Sequence, residues 1–114
     1  MDIDEKAQTK LQELQIVEHN MQNILMQKQA FQLELNETLN ALEEIGKTTD
    51  SIYKMAGSIM IKADKDKTIS ELEEKKKILQ IRNSSLDKQE KLFESKAREL
   101  QEELRKSLDK KPQK

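Results

Sequence analysis

The chain has 114 residues, of which 38% are charged and 34% hydrophobic, with no Trp, one Tyr and two Phe, too little bulky apolar material for a globular core of ordinary depth. Its net charge is −1, from 21 basic and 22 acidic side chains, which removes any sequence-wide attraction to nucleic acid or to an anionic membrane. Without cysteine there is neither a disulfide framework nor a thiolate metal site, and abundant Glu, Lys, Leu and Gln with little Gly or Pro is the composition of long helices or coiled coil.

The acidic start, Met1 to Lys6, has no apolar stretch of the kind a secretory signal needs. No apolar run approaches the ~18 residues of a membrane span. A soluble, cytoplasmic chain is expected, with no membrane or nucleic-acid partner.

From Ala7 onward one position in seven is apolar: Ala7, Leu14, Met21, then Lys28, then Leu35 and Leu42. A second column holds Val17, Ile24, Phe31 and Ile45, broken by Thr38, and a third adds Leu11, Leu25 and Leu39. Side by side on a helix, the three make a stripe wider than a two-column seam. Residues 1–46 are expected to form one N-terminal helix, ended at Gly46 by a left-handed cap. About 40 helical residues span roughly 60 Å.

Residues 47–67 break the helical period. Ile52 and Lys54 alternate with Tyr53 and Met55, Ala56-Gly57-Ser58 supplies a turn, and Ile59 and Ile61 alternate with Met60 and Lys62. Period two around a glycine that takes positive φ at no steric cost predicts a β-hairpin. A lone two-stranded hairpin is marginal in water. It also presents two edges of unpaired N–H and C=O groups that invite another chain. The hairpin is therefore expected to contribute its strands to a sheet or barrel shared between subunits.

Residues 68–109 read as a second helix, opened by a capping box of Thr68 and Glu71. Leu72, Leu79, Leu86, Phe93 and Leu100 recur every seven residues, beside a poorer column of Ile69, Lys76, Asn83, Glu90, Ala97 and Leu104. Pro112 follows, and 110–114 are expected to be a disordered tail. The fold class is mostly α: a long antiparallel two-helix coiled coil with one central β-hairpin that joins an intersubunit β-barrel. Ile16, Met26, Leu33, Ile78, Ile81 and Leu92 fall outside the best columns and point to contacts beyond the seam.

Several motifs fail. Gly46-Lys47-Thr48 lacks the glycine five residues earlier (Ala41 stands there) and follows a helix, so it is no phosphate loop. Asp64-Lys65-Asp66 has Ile69 and Lys75 where a calcium loop needs Gly and Glu. Asn36-Glu37-Thr38 lies mid-helix, and His19 has no second metal ligand of its kind. No cofactor, metal or catalytic residue is expected, and a thin coiled coil encloses no pocket for one.

Tyr53-Lys54, Gly57 and Ile59-Met60-Ile61-Lys62 resemble the hairpin signature of beta-class prefoldin subunits. The flanks agree: Gln27-Lys28-Gln29, Asn36-Glu37-Thr38 and Ala41-Leu42-Glu43-Glu44 resemble that family's first helix, and Leu79-Gln80-Ile81-Arg82 and Lys88-Gln89-Glu90 its second. The resemblance covers roughly residues 10 to 108. It implies a hexamer of two alpha-class and four beta-class subunits, and an archaeal source. It also implies an ATP-independent chaperone that holds unfolded polypeptides and passes them to a group II chaperonin. Ile52, Tyr53, Met55, Gly57, Ile59, Met60 and Ile61 would then form the oligomerisation hairpin. Ile3, Leu11, Leu14, Ile16, Val17, Leu100, Leu104 and Leu108 would be the client-binding side chains of the arm tips. A leucine turned from the seam to a client regains about 1.5–3 kcal/mol on full burial, so single grips are weak and several together are strong. Two other classes compete: a structural coiled-coil tether without clients, and an RNA-gripping helical arm. The hairpin counts against a plain tether, which needs only a tight turn. Balanced charge counts against RNA, since Lys75-Lys76-Lys77 is too short a basic cluster.

Overall fold

The computed structural model describes residues 5–109. The expectations for Ile3 and for the 110–114 tail lie outside them. The element order is α1 (Glu5–Lys47), β1 (Ile52–Ala56), β2 (Ile59–Ala63) and α2 (Lys65–Asp109): two long helices with an antiparallel hairpin between them.

The chain divides into two compact units. One comprises residues 1–28 with 85–114, the other residues 29–84. In the first, Leu14, Val17, Ala97 and Leu100 form a buried cluster, with Met21, Phe93 and Leu104 packed against it. Leu100, at 1% exposure, is the most deeply buried large side chain among the described residues. Antiparallel pairing within this unit brings together the ion pairs Lys10–Glu103 (3.3 Å) and Lys28–Asp87 (2.8 Å). In the second unit Leu35 and Leu79 are buried. Lys75 pairs with Glu34 (3.4 Å), and the Arg82 guanidinium lies 5.6 Å from the centre of the Phe31 ring.

The first two columns of α1 and both columns of α2 are buried or half-buried throughout, polar members included. Thr38 is tolerated in the seam because its hydroxyl donates to the Glu34 carbonyl one turn back (2.8 Å). The Asn83 side-chain oxygen is buried with no hydrogen-bond partner, a local cost of about 1–3 kcal/mol. Leu11, Leu25 and Leu39 flank the seam and stay exposed, as do the six hydrophobes that fall outside the columns.

Two helix boundaries differ from the sequence expectation. Gly46 is not a left-handed cap: Gly57 is the one described residue with positive φ, and α1 continues to Lys47. The helix stops instead at Thr48, whose N–H donates to the Ile45 carbonyl (3.3 Å) and whose hydroxyl accepts from the Asp50 N–H (3.2 Å). A side-chain acceptor that tightens the chain into a turn ends a helix without a glycine.

At the start of α2 the capping box of Thr68 is displaced by Asp64. Its carboxylate accepts from the Lys67 N–H (2.8 Å) and its carbonyl from the Thr68 N–H (3.0 Å). Asp caps as well as Thr. Capping at Asp64 also turns the charged run 65–67 into a first helical turn, so the helix gains three residues.

Leu100→Ala is expected to cost about 2–5 kcal/mol in denaturant unfolding, against less than about 0.5 kcal/mol for Leu92→Ala on the exposed face. Gly46→Ala is expected to stabilise by roughly 0.5–1 kcal/mol, because its φ is helical and a β-carbon there meets nothing within 4 Å. A loss on Gly46→Ala would instead indicate a left-handed residue.

Candidate functional site

Two surfaces carry the sequence-derived candidates, one in each unit. The first is the hairpin. Its register pairs Ile52 with Ala63, Tyr53 with Lys62, Lys54 with Ile61, Met55 with Met60 and Ala56 with Ile59. Directly paired residues share a face in an antiparallel sheet, so Ile52, Ile59 and Ile61 lie on one face and Tyr53, Met55 and Met60 on the other. Both faces are largely apolar, each carrying one lysine, Lys54 on the first and Lys62 on the second. Met55 at 68% and Ile59 at 64% exposure are typical, and only the pair at the base, Ile52 and Ala63, is half-buried. The sheet has two strands, so each has an outer edge without a neighbour among the described residues. Gly57 opens the two-residue loop with φ 66°, while Ser58 has negative φ, the pattern of a type II′ turn.

The base of the hairpin is tied down by Lys65, which in the sequence stands out only within the failed calcium-loop motif. Its ammonium donates to the Thr48 carbonyl (2.7 Å), the first carbonyl past α1, and so joins the end of one helix to the start of the next. A cation at a helix C-terminus also opposes the partial negative charge of the helix dipole.

The second surface belongs to the unit that contains both ends of the chain. Here the structure separates the expected client-binding residues into two groups. Leu14, Val17 and Leu100 are buried in the seam, and Leu104 is half-buried against them. Leu11 and Leu108 are exposed, and so is Ile16 at 61%. The exposed group is available as it stands. The buried group becomes available only if the helices part.

Further along this unit Lys28 occupies a seam position and donates to Glu90 (2.7 Å) while pairing with Asp87 (2.8 Å). From the spacing Lys28 was visible as a gap in an apolar column. Its acidic complement, Glu90, stands at the matching gap in α2. Hydrogen bonds to Asp87 and then to Glu90 raise the Lys28 pKa above the ordinary lysine value. At Glu102 the neighbouring Arg105 hydrogen bond lowers the carboxyl pKa instead, in an exposed pair.

Among the described residues no group of His, Asp or Glu side chains is placed to hold a metal ion, and no helix is long and apolar enough to cross a membrane. His19 lies in an open depression with Gln12, Gln15 and Ile16.

Two long helices joined by a hairpin that is largely apolar on both faces, with no neighbouring strand at either edge among the described residues, define the class of the fold. The profile of the family described as "Prefoldin subunit" matches residues 5–111. The prefoldin subunit beta of Pyrococcus furiosus is 37% identical over 105 residues, covering 90% of each chain. That of Thermoplasma volcanium is 40% identical over 101 residues, covering 86% of this chain and 82% of its own. The crystal structure of the prefoldin beta subunit from Thermococcus strain KS-1 superposes with a TM-score of 0.86 at 34% identity, covering 97% of this chain and 98% of that one. The chain belongs to the prefoldin family, and its relatives there are beta subunits. It is thus a member of a family of chaperone subunits, not of enzymes.

The raised Lys28 pKa sets a direction for pH dependence. A raised folded-state value gives a contribution that is complete below the ordinary lysine pKa and is lost as pH climbs past it. Relative to Lys28→Met, the parent chain is expected to show no change in unfolding midpoint between about pH 6 and 9, and to lose ground above about pH 10.4. A parallel pair of curves through pH 11 would mean that Lys28 gains nothing from its two carboxylates.

Proposed function

We propose that this chain is a subunit of an ATP-independent chaperone that holds non-native polypeptides and delivers them to a group II chaperonin. It works as one of four beta-class subunits in a hexamer with two alpha-class subunits, in the cytoplasm. The observation that carries the reading is a hairpin with exposed apolar side chains on both faces, in a chain matched along nearly its whole length to prefoldin beta subunits.

The assembly step follows from the hairpin. Each large side chain on its two faces gains about 1.5–3 kcal/mol when taken fully out of water, and neighbouring strands complete the unpaired edges. A β-barrel shared between subunits satisfies both demands at once. The two helices α1 and α2 then supply the coiled-coil arms, and the β1–β2 hairpin between them the oligomerisation element.

Client capture is assigned to the unit with both chain ends. Leu11, Ile16 and Leu108 meet the client first. Leu14, Val17, Leu100 and Leu104 follow where the ends of the helices fray and turn seam side chains outward. Every residue released from the seam gives up a contact to make one, so a single arm binds weakly. Several arms on one client bind through effective concentration, and weak individual grips permit release by handover without nucleotide.

Mixed with an alpha-class partner in the absence of ATP, the chain is expected to suppress light scattering when a denatured, aggregation-prone protein is diluted into it. Unchanged scattering at molar excess would refute the chaperone reading. The triple variant Leu11→Ser, Ile16→Ser, Leu108→Ser should lose most of this suppression with its hexamer and unfolding midpoint intact. Full suppression by that variant would place the client elsewhere. Ile59→Asp with Ile61→Asp should abolish the assembly in native mass measurement, and a hexamer that persists would refute the shared barrel.

A further inference from the structure

We infer that Lys28, with Asp87 and Glu90, sets the axial register in which the two helices pair. The problem it addresses lies in the sequence of α2. Leu79, Leu86, Phe93 and Leu100 repeat every seven residues, so a slide of one heptad returns a large apolar side chain to the same place. This column alone does not distinguish one register from the next. The companion column does, because it runs Lys76, Asn83, Glu90, Ala97, Leu104, from basic through amide and acidic to apolar.

Lys28 is the residue of α1 that reads this gradient. In the observed register its ammonium lies 2.8 Å from the Asp87 carboxylate and 2.7 Å from that of Glu90. Slide α2 so that each position of α1 meets the residue seven earlier, and Lys28 faces Gln80 and Asn83, with no charge between them. The same slide sets Lys10, now 3.3 Å from Glu103, against Lys96. Slide it the other way, and Lys28 meets Glu94 and Ala97, exchanging two carboxylates for one. Only the observed register gives Lys28 two acidic partners.

A polar residue at a seam position is a known way to select one alignment at some cost in stability. The lysine and its two carboxylates are half-exposed rather than sealed, which keeps that cost small. The hairpin cannot impose the register by itself in a free chain, since two strands alone are marginal.

The chain has no cysteine, so spin labels can be placed freely. Exposed Gln12 and Lys88 lie in the unit concerned and make none of the cross-seam ion pairs. Full-length chain labelled at Gln12→Cys and Lys88→Cys, diluted with unlabelled chain, is expected to give one narrow distance by pulsed dipolar spectroscopy. Adding Lys28→Leu should create a second population in which the axial separation has changed by about 10 Å, the rise of seven helical residues. The swap Lys28→Glu, Asp87→Lys, Glu90→Lys keeps the complementarity and should restore the single native distance. A single native distance in the Lys28→Leu chain would overturn the proposal, as would a swap variant as heterogeneous as Lys28→Leu.

Discussion

Everything in this chain rests on two helices burying one stripe each against the other. A helix pair has a single seam, so its core is one layer thick and no second layer compensates for a weak position. The columns that begin at Ala7 and Val17 in α1, and at Ile69 and Leu72 in α2, account for the buried residues in both units. Hydrophobes outside them, such as Ile81 and Leu92, remain in water. Within such a layer each apolar position contributes fully, and each polar one has to be justified by a partner.

The polar positions fall into three kinds. Thr38 satisfies itself on its own helix through the Glu34 carbonyl. Lys28 and Glu90 satisfy each other across the seam. Asn83 leaves its oxygen unpaired. A uniformly apolar seam would be more stable and less particular, because identical columns pack in several alignments. Exchange of stability for specificity is the sense in which a lysine can improve a coiled coil.

The large features were legible in the sequence because they depend on periodicity, which repeats and so averages out local exceptions. Seven-residue columns located both helices, and period two around Gly57 located the hairpin. Boundaries were less legible because each rests on a single short-range competition. Gly46 met every compositional condition for a left-handed cap, yet the Thr48 hydroxyl turned the chain two residues later. Thr68 and Glu71 matched a capping box, yet Asp64 offered an equally good acceptor nearer the end of β2. Lys65 was invisible for a different reason: its partner, the Thr48 carbonyl, lies on the backbone, where side-chain patterns say nothing.

For the candidate site the limit was one of resolution within a column. Heptad position correctly gathers Leu14, Val17 and Leu100 into one unit, but it cannot say which apolar residues stay reachable. Burial divides them. Leu11 and Ile16 are open, while Leu100 is sealed and joins the surface only through separation of the helices. The same side chains cannot be both core and contact at one moment. In the proposed role, capture by the sealed group would therefore draw on the stability of the seam, whereas capture by the open group would leave the seam untouched. A clasp such as Lys28 with Asp87 and Glu90, held by charge rather than by apolar contact, offers a client's hydrophobic side chains nothing to replace it with. Parting of the helices in this unit, begun at the chain ends, would accordingly have to break charged contacts as well as apolar ones, first Lys10 with Glu103 and then the double clasp of Lys28.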